Sequence, residues 1–498
     1  MSIQRTAITS AGSSGKRVGL LALGIFMICL GGTYSFANPD GWFLFSGYLS
    51  CLIVSVPMLH SQYKLVSTWT PLALFVYIGS GVRSTYIAFN IDGSRTINDL
   101  FLLGDNVDSF VRPNVIYLAG ITALTLGYGL YLSTQSKRVS KAYNLKWDIE
   151  FSSYATFGIS ACALIGLVAF VLYVQQTGGF ALDQISAKRS TLTGLEAGDS
   201  YESHGVLRFL NRFSTVALWV GVARLESRKN RRPLRGGKLW IGILFLNAIL
   251  LPVYSSARSE VVWIIAVSLI IHLTIGKRRL GIAAALTIAG LVLAMVSILT
   301  QLRPGSPSAE SAPSSGIFSQ AVAFIGEALV YNRNFADIST SSQIINAIPN
   351  TIAYDYGQSV FAWAVAPIPR AIWPAKPITS SGPEIAAFVF GLENTAVSPG
   401  FIAESYRAFG LGSLLAFSLL LGIALCKFVD APLRKSPAST VSLIVYCVLG
   451  FRFGGIALAG GLGYALFFSL QTAVILIVVL ASCCSIGKVH RSSANFSQ

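Results

Sequence analysis

The chain has 498 residues, of which 53% are hydrophobic and 12% charged, and its mean hydropathy is +0.63. Soluble domains carry about 25% charged residues, so an ordinary cytosolic enzyme, a disordered protein and a nucleic-acid-binding domain are all poor readings. The formal charge of +16 has to be tested first against membrane topology, because cytoplasmic loops collect Lys and Arg.

In chain order, twelve apolar stretches approach the ~20 residues that a helix needs to cross a bilayer. They run over 18–36, 43–60, 71–90, 113–132, 155–174, 206–224, 238–254, 260–275, 280–300, 410–428, 438–455 and 463–484. The weakest are 71–90, which holds Arg83, and 206–224, which opens with Arg208 and Arg212. Arg5, Lys16 and Arg17 precede the first stretch, which reads as an uncleaved span because it is long and more spans follow.

With the N-terminus placed in the cytoplasm, the inner segments collect 23 basic residues against four acidic ones, Asp148, Glu150, Glu226 and Asp430. The inner side then carries +19 and the remainder −3, so orientation accounts for the whole basic excess. No nucleic-acid partner is required. The fold expected is an all-α polytopic membrane protein of about 12 transmembrane helices. Residues 1–300 form a bundle of nine spans, 301–409 one large external loop, and 410–498 the last three spans with a cytoplasmic tail.

Loops as long as 301–409 are uncommon and usually functional or disordered. Residues 316–333 place Ile317, Ala321, Phe324, Ala328 and Tyr331 on one helical face, which fits a helix on the outer membrane surface or against the bundle. Residues 306–315 are rich in Ser and Pro. Residues 363–383 carry five prolines and cannot form one regular helix.

Charges near an apolar core are expensive and are functional candidates by default. Arg258 lies in the turn Tyr254-Ser-Ser-Ala-Arg-Ser-Glu260 between two short spans. Its planar fork suits a phosphate, against the plainer reading of a surface pair with Glu260. Arg370 and Lys376 flank Trp373 in the run Ile368-Pro-Arg-Ala-Ile-Trp-Pro-Ala-Lys-Pro377. This reads as a rigid cationic patch or as an interfacial anchor.

Glu404, Tyr406 and Arg407 precede span ten. Glu404 and Arg407 are three apart and share a helical face. A carboxylate at an apolar boundary has its pKa raised and can serve as a base for a sugar hydroxyl; the plainer reading is a Glu–Arg pair capping the span. Arg452, in Gly450-Phe-Arg-Phe-Gly-Gly455, and Arg83 complete the outer cations, unless they snorkel to the interface.

The seven cysteines lie within or at the ends of apolar runs and imply no disulfide framework. The four histidines make no metal motif, and the chain has no Walker loop. No cofactor is expected. External arginines over an apolar bundle suit a substrate that brings its own activated phosphate and lipid tail.

The Ser-Ala-Arg-Ser turn at 256–259, the run Pro-Arg-Ala-Ile-Trp-Pro-Ala-Lys-Pro at 369–377 and Glu-Ser-Tyr-Arg-Ala-Phe-Gly at 404–410 resemble the bacterial O-antigen and exopolysaccharide repeat-unit polymerases, the Wzy type. Gly382 and the Ser398-Pro-Gly400 step add to the resemblance. It implies a GT-C-like fold in the bacterial inner membrane, with both termini cytoplasmic and the large loop and active site periplasmic. It implies metal-independent transfer of a growing chain from undecaprenyl diphosphate onto an incoming lipid-linked repeat unit. Arg258 and Arg370 would hold the donor pyrophosphate, with Arg452 as a third cation. Glu404 would activate or orient the acceptor hydroxyl, and Arg407 and Tyr406 would position it. Expected partners are the undecaprenyl-diphosphate-linked oligosaccharide, membrane lipid and a chain-length regulator protein.

Two rivals remain at this stage. An O-antigen ligase shares the architecture but uses a histidine in the large loop, and 301–409 has none. A lipid-linked glycan flippase or transporter would show midplane charges, broken helices and paired halves.

Overall fold

A computed structural model describes residues 24–25, 27–32, 41–61, 63–64, 66–85, 110–135, 150–177, 179, 205–227, 236–255, 257–276, 287, 290, 337–365, 368, 373, 381–391, 397–431 and 440–485. Eight helices among them are long and apolar enough to cross a membrane: Trp42–Leu59, Val111–Thr134, Ala155–Gln176, Gly205–Glu226, Gly237–Tyr254, Leu411–Asp430, Thr440–Gly460 and Leu462–Cys483. The chain is a multi-pass α-helical membrane protein. A typical span, Ala155–Gln176, has 22 residues without a charge or a proline; at ~1.5 Å per residue it matches a hydrocarbon core of ~30 Å.

Four of the twelve expected spans stand apart from these eight. The stretches 18–36 and 280–300 lie largely outside the described residues, as do 306–315 and 316–333. The stretch 260–275 appears as a shorter apolar helix, Ser259–Ile275. The stretch 71–90 starts earlier, at Trp69, and is not one regular α-helix over its described part. Tyr77–Val82 forms a π-helical turn with glycines at 79 and 81, where missing side chains ease the wider winding.

The chain forms two compact units that interleave along the sequence. Unit 1 takes residues 1–139, 326–428 and 453–467. Its described helices are α1 (Gly41–Leu59), α2 (Trp69–Val76), α3 (Val111–Gln135), α8 (Ile338–Ala347), α9 (Gln358–Phe361), α10 (Gly382–Phe390), α11 (Gly400–Phe409) and α12 (Leu411–Ala424). Unit 2 takes residues 140–325, 429–452 and 468–498. It holds α4 (Ala155–Gln176), α5 (Gly205–Glu226), α6 (Gly237–Tyr254), α7 (Arg258–Ile275) and α13 (Thr440–Val445). The last two helices, α14 (Phe451–Gly460) and α15 (Leu462–Cys483), contribute residues to both.

In lipid the apolar effect does not drive helices together, so close backbone packing and polar contacts must do so. In unit 1, α3 and α12 cross where Gly127 faces the Leu419 carbonyl and Gly422 faces the Leu124 carbonyl. A methyl at either glycine would collide with the opposing backbone. Trp69 stacks on Tyr128 with centroids 4.5 Å apart and donates its indole N–H to the Val54 carbonyl at 2.8 Å.

In unit 2, α4 and α5 make the equivalent contact at Gly166, where Asn211 Nδ2 donates to the Gly166 carbonyl at 3.0 Å. Asn247 Nδ2 of α6 donates to the Ala163 carbonyl at 2.8 Å. A two-residue antiparallel ladder pairs Glu150 with Ser485 and Phe151 with Cys484. It ties the segment before α4 to the end of α15.

The described part of 338–409 carries four α-helices, α8 to α11, joined by turns and irregular segments. Asp337 caps α8 by accepting the Thr340 N–H at 2.7 Å. In the proline-rich stretch, Ala362–Ala364 is a single 3-10 turn and α10 begins with Pro383 in its first turn, where the missing N–H costs nothing.

Candidate functional site

Unit 1 gathers the acidic candidates. Glu404 lies on α11, outside the spans, and is only 6% exposed. Its Oε2 accepts the Leu462 N–H at 2.7 Å, at the start of α15. Gly461 makes this approach possible: its φ is +90° and a methyl there would lie 2.6 Å from Glu404 Oε2. The Glu404 carboxyl is pushed up to about 7, chiefly by burial and in smaller part by the charge of Asp355, while the N–H groups of Leu462 and Gly463 pull the other way. Such a carboxyl takes up and gives back a proton near neutral pH.

Arg407 does not pair with Glu404, although the two share a helix three residues apart. Its Nη2 donates to both Glu384 oxygens, at 2.8 and 2.9 Å, and its Nε to the Ala353 carbonyl at 3.1 Å. Glu404 is instead drawn to the unsatisfied N-terminal amides of α15, which favour a carboxylate. The Glu384 side chain is 43% exposed, so in this pair the acid, not the arginine, meets the surroundings. Tyr406 is buried, its ring 6.4 Å from Tyr354. Burial and Tyr354 raise its phenol, and the Arg112 guanidinium that bonds it acts against them.

Arg83 is fully buried and forms an ion pair with Asp337, also fully buried. Asp337 further accepts from Ser339 Oγ at 2.5 Å and Thr340 Oγ1 at 2.9 Å. Arg83 is therefore held inside unit 1 and is not an outer-mouth cation. Tyr117 and Ser80 share a hydrogen bond of 3.0 Å nearby in sequence, and Ser342 donates to Asn114 Oδ1 at 2.5 Å.

Unit 2 holds a small cleft lined by Arg212, Thr215, Val216, Trp219, Glu260, Ile264, Arg452, Phe468 and Thr472. Helical spacing builds it. Positions 212, 215, 216 and 219 lie on one face of α5, 260 and 264 on one face of α7, and 468 and 472 on one face of α15.

Arg452 stands over the rings of Phe468 (4.4 Å), Trp219 (5.5 Å) and Trp263 (5.5 Å). Arg212 stands 3.9 Å from the same Phe468 ring and donates to Gln471 Oε1 at 2.6 Å. Each such contact contributes ~0.5–2 kcal/mol, most where water is excluded. Two guanidiniums brought to one ring repel each other. Glu260 lines the same cleft, and an anion with two or more oxygens suits paired guanidinium forks.

Of the expected cations, Arg452 lines this cleft. Arg258 is the first residue of α7, two residues before Glu260, but its side chain lies outside the described residues, as do Arg370 and Lys376. Trp373 is partly exposed. Sequence reasoning passed over Arg212 and Glu260 as site residues. Arg212 had been noted only as a charge that weakens a span, and that same charge was the signal. Among the described residues, no cluster of His, Cys, Asp and Glu could hold a metal ion. No protein-family model, no curated protein and no solved structure matches the chain.

Proposed function

We propose that the chain is a bacterial inner-membrane glycan polymerase of GT-C-like architecture, joining undecaprenyl-diphosphate-linked repeat units at the periplasmic face. The observation that carries this reading is the unit 2 cleft, where Arg212 and Arg452 lie on one aromatic ring beside Glu260. Arginine forks backed by aromatic rings and apolar helices suit a diphosphate on a lipid tail.

In the proposed reaction the acceptor hydroxyl oxygen attacks the anomeric carbon of the donor sugar. A new C–O bond forms as the bond to the diphosphate breaks. The diphosphate leaves with the bonding pair, and Arg212 and Arg452 stabilise the charge that develops on it. The hydroxyl proton passes to a general base; within unit 1, Glu404 is proposed as an acid–base group, with Arg407 and Tyr406 as its positioning residues. Lys376 and Trp373 are proposed as substrate-binding residues, whereas Arg83 is paired with Asp337 inside unit 1. The reaction needs no metal or cofactor, and a chain-length regulator is the expected protein partner.

The test is the glycan ladder of a deletion strain complemented with the wild type, Arg452→Ala or Glu404→Gln. The expected outcome is collapse to a single repeat unit in the deletion strain, with neither variant restoring length. A full-length ladder left on undecaprenyl diphosphate would instead indicate a ligase. Repeat units trapped on the cytoplasmic face would indicate a flippase.

A further inference from the structure

Outside the spans, unit 1 carries an aromatic cluster that the glycan reading does not use. Tyr356 is 74% exposed, Phe361 62% and Phe409 57%. The Tyr356 and Phe409 rings meet edge to face at 6.1 Å. Phe361 and Phe409 close over Gly357, where a methyl would lie 3.3 Å from one ring and 3.4 Å from the other. Three large aromatics left open to water in one place mark a contact surface.

The backbone beneath the cluster is fixed. Tyr356 has φ +52°, a conformation that costs a bulky residue ~1–3 kcal/mol. The Asp355 carboxylate holds it there by accepting the Gly357 N–H at 2.9 Å and the Ser359 N–H at 3.2 Å. The Asp355 N–H in turn donates to the Arg407 carbonyl at 3.1 Å. Tyr356 is thus turned outward by a rigid frame and not by a loose loop.

Two observations identify what the cluster meets. Phe409 is the last residue of α11, and α12 begins two residues later as the membrane span Leu411–Asp430. Leu411 and Leu415, exposed on one face of that span, continue the patch. The cluster is therefore continuous with a surface that faces acyl chains. Within Tyr354–Phe361, Asp355 is the only carboxylate and there is no basic residue, and that carboxylate is occupied by backbone. A neutral aromatic surface at the end of a span fits the boundary between headgroups and acyl chains, where aromatic rings are enriched.

We propose that Tyr356, Phe361 and Phe409 form a lipid-contact wedge that seats the segment 354–365 in the membrane interface. This stands independently of the glycan reading. It is tested with the full chain in phosphatidylethanolamine/phosphatidylglycerol vesicles, with p-benzoylphenylalanine introduced at position 356 or, in a second variant, at 361. After irradiation, intact-mass analysis should show phospholipid adducts as the main product at both positions. Cross-links to a second copy, adducts with glycan, or no adduct in monodisperse protein would overturn the wedge. The variant at 361 keeps the test decisive if the strained position 356 does not accept the larger ring.

Discussion

The two units surround their arginines in different ways. In unit 1, Arg83 is paired with Asp337 and Arg407 with Glu384. In unit 2, Arg212 and Arg452 lie on the Phe468 ring, and Arg452 also on Trp219 and Trp263. A carboxylate cancels the charge of its arginine, whereas an aromatic face steadies a guanidinium without neutralising it. The first arrangement fixes helices; the second sets two guanidiniums on the aromatic wall of a cleft. A buried arginine is thus not a functional arginine by default, and the kind of partner tells the two apart.

The largest expected effect tests the structural half of this contrast. Arg83→Ala leaves Asp337 charged and buried, so it should destabilise the protein by about 3–5 kcal/mol, read as loss of monodisperse protein and a lower Tm in detergent. The double change Arg83→Met with Asp337→Leu should recover most of that loss, because burying neither charge is often neutral. If Arg83→Ala leaves Tm unchanged, the pair does not hold the unit together.

Glu404 gives the next effect. Its carboxyl is raised from the usual 4.5 to about 7 in the fold, so the folded state holds the proton more tightly than the unfolded state. Stability should then be highest below the lower value and fall as pH rises through the window to about 7. The fall is at most about 3 kcal/mol, and Glu404→Gln should flatten that slope in a Tm–pH series.

Arg452→Lys probes the functional half: the ammonium keeps the charge but loses the flat fork. Polymer length should collapse while Tm moves by only a few degrees, as for a loss of about 1 kcal/mol; a fall in Tm as large as that of Arg83→Ala would erase the contrast. Smallest is Glu384→Gln. With its side chain 43% exposed, the pair contributes about 0.5 kcal/mol, and Tm should barely change.

Eight of the twelve expected spans stand as long apolar helices, and these were legible in the sequence because a run of about 20 apolar residues has one economical solution in a bilayer. The pairings were not. Arg83 and Asp337 are 254 residues apart, and no local pattern connects them. Arg407 and Glu404 have the spacing of a helical pair, yet the open amides at the start of α15 and the approach allowed by Gly461 claim Glu404. Spacing within one helix lists the neighbours that a side chain can reach, and tertiary structure supplies the competitor that wins. Arg212 was visible as a charge inside a span, but only the stripe 212, 215, 216 and 219, set against Phe468, shows that it belongs to a cleft.

The two-residue ladder between Glu150–Phe151 and Cys484–Ser485 bears on the order in which the protein can be made. Unit 2 receives its segments from three separate stretches of the chain. The cleft needs α5, α7, Arg452 and Phe468 together, so helices inserted early must remain in the bilayer with that face incomplete until α15 has been made. The ladder forms only when residue 485 has followed, and it then fastens the first stretch of the unit to its last. Assembly of the cleft therefore waits for α15, however early α5 and α7 are inserted.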